Sequence, residues 1–352
     1  MIDWTESMEQ SFEYYEVDPN TWKDIKLIKN VKSSSINRDE DADTLGSATI
    51  DVIDTLGECY IRIYLIISQN GGNYKIPLGT YLVQTPSSSY DGKNRSVSMD
   101  AYTPLLELNE KNPPLGYALM KNDNILRQAY MIIRENVRAP IVETTSDKLL
   151  LDNFIADPNE KWLSYIKDLL YQAKYKLYLD ESGRILFAPI QKVDELQPVW
   201  TYTDDNSSIL YPEVSMQHDL YGIPNVVEVI CSTATGQYYT KVVNDDPNSP
   251  TSVVNRGREI VFRKTDPELS GIPTTIQVDE YAKTLLESLS SVEYEISYKH
   301  GYCPVRVGDC VRLNYERAGL TNIKAKVIKQ TITCDKGCQV SETAVFTKKL
   351  WN

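Results

Sequence analysis

The sequence lacks the motifs by which most hydrolases, metalloenzymes and nucleotide-binding enzymes are recognised. Its 352 residues include only two histidines, His218 and His300, and neither lies in a metal-ligand spacing such as His-Glu-x-x-His. It has no Gly-x-Ser-x-Gly nucleophile elbow, no Gly-rich phosphate loop and no Rossmann glycine run. These absences exclude the enzyme classes that depend on those motifs, and they indicate that both histidines are structural or exposed.

Paired carboxylates are the catalytic groups that a histidine-poor chain still offers, because many glycosidases work with two acidic side chains. The obvious pairs are Asp204 with Asp205 and Asp245 with Asp246. Both pairs lie in polar stretches, where adjacent carboxylates are typical of solvated turns. We therefore predict that the protein is not an enzyme and has neither catalytic nor cofactor-binding residues.

Basic residues and long apolar runs are also scarce. The chain has 37 Lys and Arg against 49 Asp and Glu, a formal net charge of -12, whereas tight nucleic-acid binding depends on Lys and Arg that neutralise phosphates. The most apolar run, residues 59–67, contains Arg62 and is far shorter than a membrane-spanning helix of roughly 20 residues. The first six residues lack the basic and apolar regions of a secretory signal. We expect no specific nucleic-acid binding, no stable membrane insertion and synthesis in a cytoplasm.

Six cysteines are unremarkable in a chain of this length, and reduced thiols are the rule in a cytosolic protein. Four of them lie near the C-terminus: Cys303, Cys310, Cys334 and Cys338. These four could converge on a tetrahedral zinc ion, but their spacings differ from the common knuckles with two intervening residues. Cys310 also lies where a strand would bury a small apolar side chain. The sequence predicts no bound metal, with an intracellular zinc protein as the alternative.

The first hundred residues are patterned as short antiparallel strands. Strand-like segments follow one another about every 10 residues with no long helix between them, which is typical of a β-barrel or sandwich. Gln69-Asn70-Gly71-Gly72 and Tyr90-Asp91-Gly92-Lys93 are turn sequences that close hairpins. We predict a first β-barrel domain in residues 1–104.

The pattern becomes helical after Pro104. Apolar residues recur at helical spacing in residues 125–133, after Asn122 as the predicted N-cap, and in residues 162–173, after a predicted cap at Asp157. A hairpin centred on residues 180–183 follows. We predict an α+β domain in residues 105–203, in which Trp162 belongs to the core.

Strand patterning returns in residues 204–243 and in residues 291–352, whose last three strands form an antiparallel meander. Residues 244–290 lie between them. They contain one amphipathic helix, predicted at residues 279–289, and a polar stretch at residues 245–250 that is predicted to be a mobile loop unable to pack as a core. The predicted fold class is α+β, predominantly β, with two small antiparallel β-barrel-like domains, an intervening α+β domain and an insertion in the second barrel.

Three stretches of the chain resemble segments of one protein family. The first, residues 4–22, contains Ser11-Phe12-Glu13-Tyr14-Tyr15 and Asp18-Pro19-Asn20-Thr21-Trp22. The second comprises residues 76–83 and the run from Tyr90-Asp91-Gly92 to Asp100-Ala101-Tyr102, and the third is Val307-Gly308-Asp309-Cys310-Val311. They are similar to the opening, the close of the first barrel and the turn into the last strands of the baseplate hub, or tail-associated hub, proteins. These proteins belong to long-tailed bacteriophages, related contractile injection particles and phage-tail-like bacteriocins.

The resemblance implies a structural protein of the virion without catalytic residues. Hubs of this family are trimers, in which the two barrels of each subunit form a ring of six similar domains around the channel that DNA crosses. The implied function is an adaptor between the sixfold tail tube and a threefold spike or fibre complex. The implied partners are the tail tube or distal tail protein, the spike or tail fibre protein and the tape measure protein. The implied location is the tail baseplate, assembled in the host cytoplasm.

Two further expectations concern the type of tail and the alternative function. The last predicted strand ends close to Asn352, so receptor-binding or hydrolase parts are expected on other proteins, as in a contractile tail or a bacteriocin. The alternative is a carbohydrate-binding or cell-wall-hydrolase component of a tail. It follows from the 24 tyrosines of the chain, because exposed tyrosines on β modules can stack on sugars.

Overall fold

The computed structural model describes residues 2–53, 56–90, 92, 95–233, 236–267, 274–335 and 337–351. Strands make up 48% of the structure and helices 16%, which confirms the predicted α+β, predominantly β class. The strands and helices of the described residues are, in chain order, β1 (Glu9–Val17), β2 (Asp24–Leu27), β3 (Val31–Asp39), β4 (Gly46–Val52), β5 (Tyr60–Gln69), β6 (Gly72–Tyr90), β7 (Arg95–Tyr102), α1 (Leu106–Glu110), β8 (Ala118–Leu119), α2 (Ile125–Asn136), β9 (Phe154–Ile155), α3 (Trp162–Gln172), β10 (Tyr175–Leu179), β11 (Ile185–Pro189), β12 (Pro198–Thr203), β13 (Leu210–His218), β14 (Val226–Thr233), β15 (Gly236–Val243), α4 (Val253–Arg256), β16 (Val261–Thr265), α5 (Thr275–Leu289), β17 (Ser291–Gly301), β18 (Cys310–Tyr315), β19 (Leu320–Cys334) and β20 (Gln339–Lys349).

One large sheet contains strands from both β regions of the sequence. Its main path follows the order β13-β17-β20-β19-β3-β4-β7-β6-β5-β1-β2, and β18, which pairs with β19, also pairs with β12. The sequence predicts two barrel-like domains, but within the described residues the path is open and no closed barrel forms. The alternation of apolar residues predicts where strands lie but not which distant strands pair. The sequence therefore does not predict that the two β regions share one sheet.

The junction is the antiparallel pairing of β19 with β3, in which Ile332 lies opposite Ile36. Both side chains are fully buried in one apolar cluster that also contains Ile63 from β5 and Val340 from β20. Burying an aliphatic side chain stabilises a fold by about 1.5–3 kcal/mol. The two β regions therefore contribute to a single core.

Several local predictions are confirmed. Asn70 and Gly71 join β5 to β6 with φ values of 51° and 75°, and a tight hairpin turn with two positive φ angles favours Asn-Gly. The C-terminal meander forms from β18, β19 and β20, which are neighbours in that order. The hairpin of β10 and β11 also forms. Lys336, in the last predicted turn of the meander, and Asp91 and Lys93, in the turn before β7, lie outside the described residues.

The helices of the α+β region form, but their starting residues differ from the prediction. Helix α2 begins after Asn124, whose side chain accepts a hydrogen bond from the Arg127 amide, and not after Asn122. Helix α3 begins at Trp162, so the chain around Asp157 precedes it as a turn. The Trp162 side chain is only 6% exposed and lies in the core, as predicted. Among the described residues no helix is long and apolar enough to span a membrane.

The chain divides into two compact units. The first unit comprises Met1–Val214 and Tyr298–Ala344, and the second comprises Ser215–Ser297 and Val345–Asn352. The finer division into residues 1–104, 105–203, 204–243 with 291–352, and 244–290 stays a prediction.

The second unit is built on a three-stranded sheet with a helix packed against it. The sheet has the order β15-β14-β16, and the buried Val227 and Val229 of β14 share an apolar cluster with Ala282 and Leu286 of α5. This amphipathic helix is the one that the sequence predicts, although it begins four residues earlier. Thr274 caps it, since the Gln277 amide donates to the Thr274 hydroxyl.

The polar stretch at residues 245–250 forms a loop, as predicted, in which only Ser249 is buried, and its mobility stays a prediction. Asn244 is fully buried, and its side-chain amide donates to the hydroxyl of the buried Ser249 at 2.8 Å. Thr251 and Ser252 are fully buried as well. Short polar side chains can be buried when they satisfy neighbouring polar groups, so hydrogen bonds hold Asn244 and Ser249 in place while most residues between them stay exposed.

Three side chains of the first unit converge on one carbonyl oxygen in the turn between β10 and β11. The Ser182 carbonyl accepts hydrogen bonds from the Trp22 indole at 2.7 Å, the Thr80 hydroxyl at 3.0 Å and the Arg62 guanidinium at 3.2 Å. The next residue, Gly183, has a φ of +75°, and a Cβ atom there would lie 2.7 Å from the Thr80 Cβ. The turn therefore needs glycine both for its backbone conformation and for space.

We expect Gly183→Ala to destabilise the first unit more than Gly116→Ala, its matched control. Gly116 has nearly the same φ, +76°, but open space around its Cβ position. Alanine in the left-handed region costs about 1–2 kcal/mol at either site. The clash with Thr80 should add about 1–3 kcal/mol at Gly183 alone. Urea unfolding of both variants measures the difference in their free energies of unfolding. Equal decreases in the two variants would show that the turn accommodates the added methyl group without a clash.

Candidate functional site

The four cysteines of the zinc alternative lie in different surroundings. Cys334 and Cys338 belong to the apolar core of the large sheet, whereas Cys303 lies beside Tyr202 and His300. Cys310 is buried at the start of β18. Burial raises the pKa of the Cys334 thiol to about 11, so it stays protonated at neutral pH. In the described part of the chain no three His, Cys, Asp or Glu side chains form a group that could hold a metal ion.

One aspartate of each carboxylate pair caps a turn. Asp205 accepts hydrogen bonds from the amide and the hydroxyl of Ser207, at 2.9 and 2.6 Å. Asp246 accepts a hydrogen bond from the Asn248 amide at 2.8 Å. Both patterns are side-chain caps of tight turns.

The first unit contains a buried polar cluster of titratable groups from several strands. His300 on β17 lies 3.3 Å from Glu342 on the neighbouring β20, measured from Nε2 to Oε2. Glu342 Oε2 also accepts hydrogen bonds from Tyr298 at 2.8 Å and from Tyr202 at 3.2 Å, and Oε1 accepts one from Gln330 at 2.6 Å. All five side chains are at most 2% exposed.

The cluster continues into the N-terminal β region. Gln330 on β19 accepts a hydrogen bond from Arg38 on β3 at 2.7 Å, and its amide also donates to the Val305 carbonyl at 2.9 Å. The second guanidinium nitrogen of Arg38 donates to the Leu78 carbonyl at 2.5 Å. A chain of hydrogen bonds therefore runs from His300 through Glu342 and Gln330 to Arg38.

The electrostatics of the cluster favour an ion pair. Burial alone would raise the pKa of Glu342, but the charge of His300 and the hydrogen bonds to the carboxylate together lower it. Burial alone would lower the pKa of His300, but Glu342, with a smaller contribution from Cys303, raises it to about 10. Burial holds the pKa values of Tyr202 and Tyr298 well above 10, so both phenols donate hydrogen bonds at neutral pH.

The arrangement keeps both charged side chains of the pair out of contact with solvent. A general acid or base must reach a substrate, and His300 and Glu342 have no exposed surface. His218, in contrast, is exposed and stacks on Tyr294 of the second unit with ring centres 4.3 Å apart. His300 is thus buried and His218 exposed, and the absence of a catalytic or metal-binding role for either stays a prediction.

The alternation of residues along two strands indicates this cluster, whereas composition and short motifs do not. Val340, Glu342 and Ala344 alternate along β20, and all three are buried. Gln330 and Ile332 alternate in the same way along β19. A charged or amide side chain at an inward position of a strand predicts a buried partner, because an unpaired one would cost too much to keep.

Exposed apolar side chains occur on and beside a small ribbon of the first unit. The ribbon consists of β8 and β9, which pair antiparallel, and of the bridge between Asn124 and Leu149. Leu119 and Leu150 point to the core. Their neighbours form what we call the ribbon face, which comprises Leu115, Met120, Leu149, Leu151 and Ile155, with exposed fractions of 84%, 60%, 47%, 88% and 65%.

Exposed strands lie in both units. In the first unit, β2 ends the path of the large sheet and has β1 as its partner, and its Ile25 and Leu27 are 60% and 40% exposed. In the second unit, β16 is exposed along its whole length and has β14 as its partner within the described residues. Edges of this kind can pair with a strand of another chain.

The pH dependence of stability should report the buried ion pair. The His300 pKa is about 10 in the folded protein and about 6.5 when unfolded. Its contribution is therefore complete below pH 6.5 and is lost as the pH rises towards 10, with a slope of up to about 1.4 kcal/mol per pH unit. Glu342 adds stability above its unfolded pKa of about 4.5, which is lost as the pH falls. Urea unfolding of the wild type between pH 5 and 10 should show this loss of stability at high pH.

The variant His300→Gln should flatten that slope, although it also lowers stability at every pH because it leaves Glu342 without its cation. His218→Gln is the matched control, since His218 is exposed and should leave the slope unchanged. A wild-type slope that persists in His300→Gln would rule out the ion pair as its source.

The chain was compared with protein families, curated proteins and solved structures. No family model and no curated protein matches its sequence. The fold is similar to that of a tail protein from Neisseria meningitidis MC58, with 12% identity, 96% of each chain covered and a TM-score of 0.61. It is also similar to the 43 kDa tail protein of prophage MuSo2 from Shewanella oneidensis, with 12% identity, 96% of this chain and 98% of that chain covered, and a TM-score of 0.62.

A third similar structure is a chain of the half-lidded PdpA-VgrG complex from Francisella. Identity is 10%, the TM-score is 0.57, and the match covers 97% of this chain and 58% of that one. At such low identities the likeness concerns the fold alone. The resemblance inferred from the sequence is confirmed at that level, because this chain has the fold of phage tail proteins.

Proposed function

We propose that the protein is a structural component of a bacteriophage tail or of a related contractile injection particle, and that it acts there as the baseplate hub. The observation that carries this proposal is the fold match along almost the full length of both partners, 96% of this chain against 96% and 98% of two tail proteins. A match of that extent covers both units and not one common module.

In this role three copies form a ring that joins the sixfold tail tube to a threefold spike or fibre complex. The tail tube or distal tail protein, the spike or tail fibre protein and the tape measure protein are its neighbours in the virion baseplate. Ring assembly needs contact surfaces, and the ribbon face and the exposed strands β2 and β16 are available for them.

The proposed role is not enzymatic and includes lining the channel that DNA crosses. The cluster around His300 and Glu342 is buried and hydrogen-bonded, which supports a structural purpose. The net charge of -12 suits a surface that DNA passes without adhering, because like charges repel.

The mass of the purified protein in solution tests this proposal. We expect light scattering to give a mass near three times 40.1 kDa that persists over a concentration series, because a ring-forming hub buries its contact surfaces in the trimer. A tail-tube protein and a spike protein from the same particle, added separately, should each form a complex with it.

A chain that stays monomeric alone and with both candidates would contradict the hub proposal. Sedimentation with purified peptidoglycan provides the control for the alternative function. A hub should remain in the supernatant and release no fragments, whereas binding or hydrolysis would favour the carbohydrate-binding or cell-wall-hydrolase component.

A further inference from the structure

The first unit contains a cavity of about 340 Å³ to which the function above assigns no task. Its wall is formed by strands β3 and β6, helix α3, strand β10 and the turn at Arg306. The volume lies at the lower end of the range of about 300–1,000 Å³ for sites that bind small ligands. It would hold a group the size of one or two amino-acid side chains.

Two cations of the wall have no carboxylate partner. Arg38 donates to the neutral acceptors Gln330 and Leu78, and no carboxylate of the described residues lies within ion-pair distance of it. Lys167 on α3 is half-buried, and its ammonium group makes neither a hydrogen bond nor an ion pair with the described residues. Burial lowers its pKa, and only the more distant charges of Asp43 and Asp168 oppose that effect.

The Glu40 carboxylate of the wall has two cationic partners, of which Lys176 also lines the cavity and Lys326 does not. This carboxylate pairs with Lys176 and also with Lys326, at 2.6 Å, so two ammonium groups share one negative charge. Asp168 is exposed to solvent. The other acidic side chains of the wall each have a cationic partner, in the pairs Asp39 with Lys329, Asp180 with Arg184 and Glu181 with Arg306.

The rest of the wall is largely aromatic and aliphatic. Tyr81, Tyr171, Tyr175 and Tyr178 line the cavity together with Leu177. Tyr81 is only 4% exposed, and burial raises its pKa to about 12, so it stays neutral and can donate a hydrogen bond. Among the charged wall residues only Arg38, Lys167 and the exposed Asp168 have no oppositely charged group within ion-pair distance in the described part of the chain. The cavity therefore combines two unpaired cations with an apolar body of tyrosine rings.

We propose that this cavity binds a carboxylate attached to an apolar, preferably aromatic, group. The carboxylate would lie between Lys167 and Arg38, and the apolar group would lie against the tyrosine rings. Each cation would then gain a charge-assisted hydrogen bond that it lacks, while the ligand buries its apolar surface. The same chemistry occurs in a free aromatic acid and in an acidic residue next to an aromatic one in a peptide.

This inference does not depend on the proposed function, because it concerns a site within one unit of a single chain. A cavity that fails to bind carboxylates would leave a trimeric hub intact, and a monomeric protein could still bind them. The result of the ligand titration therefore does not determine the result of the mass measurement, and the reverse also holds.

The test compares phenylacetate with phenylacetamide, which has nearly the same shape without the charge. Titration of the full-length protein by calorimetry should show that phenylacetate binds at least about tenfold more tightly, the range expected for a charged hydrogen bond. In Lys167→Gln, the affinity for phenylacetate should fall about tenfold while that for phenylacetamide stays the same. This variant should keep its thermal stability, because the ammonium group of Lys167 makes no hydrogen bond in the described structure.

Arg134→Gln is the matched control, since Arg134 is an exposed cation on α2 of the same unit and should leave both affinities unchanged. The peptide acetyl-Glu-Phe-amide distinguishes the two sources of the ligand. Tighter binding of the peptide than of phenylacetate identifies a segment of a neighbouring polypeptide, and binding of phenylacetate alone identifies a small acid. Either result supports the site. Equal binding of acid and amide, no binding at millimolar concentration, or equal effects of the two variants would overturn it.

Discussion

The pairing of β19 with β3 is the constraint on which the rest of the first unit depends. It joins residues nearly 300 positions apart in sequence, and the contact between Arg38 and Gln330 spans 292 residues. Closing such a long loop costs conformational entropy before any contact is gained. The fold recovers that cost because Ile36 and Ile332 meet in one apolar core shared by both β regions.

The polar chain beside this pairing contributes specificity more than stability. Moving a carboxylate and an imidazolium out of water costs about as much as their attraction returns, so the pair of His300 and Glu342 is weak evidence for a stable fold. The ion pair has a stronger effect on the register in which β20 pairs with its neighbours. Side chains alternate between the two faces of a strand, and a slip of β20 by one residue would turn Glu342 away from His300 and Gln330. Buried polar groups penalise the wrong register heavily, whereas aliphatic side chains tolerate it better.

Local structure could be predicted from the sequence because local signals determine it. The Asn70-Gly71 hairpin, the amphipathic helix α5 and the C-terminal meander follow from turn residues and from the spacing of apolar residues. Helix starts were less accurate, since Asn122 and Asn124 are both acceptable caps and only the packing of the ribbon decides between them. The burial of Ser249 within the polar loop was not predicted, because it depends on a hydrogen bond to Asn244 and not on apolar content.

Sites were harder to predict than strands, and the reason is physical. Glu342 and Lys167 are ordinary charged residues in the sequence, and their roles arise from which side chains of distant elements surround them. Glu342 is neutralised by a cation fully buried beside it, whereas the Lys167 side chain has no carboxylate within ion-pair distance among the described residues. The first charge joins two neighbouring strands, and the second is the one on which the proposed ligand site depends. Overall charge gives no indication of this difference, because a net charge of -12 describes the whole chain and not the partners that the fold gives to any one side chain.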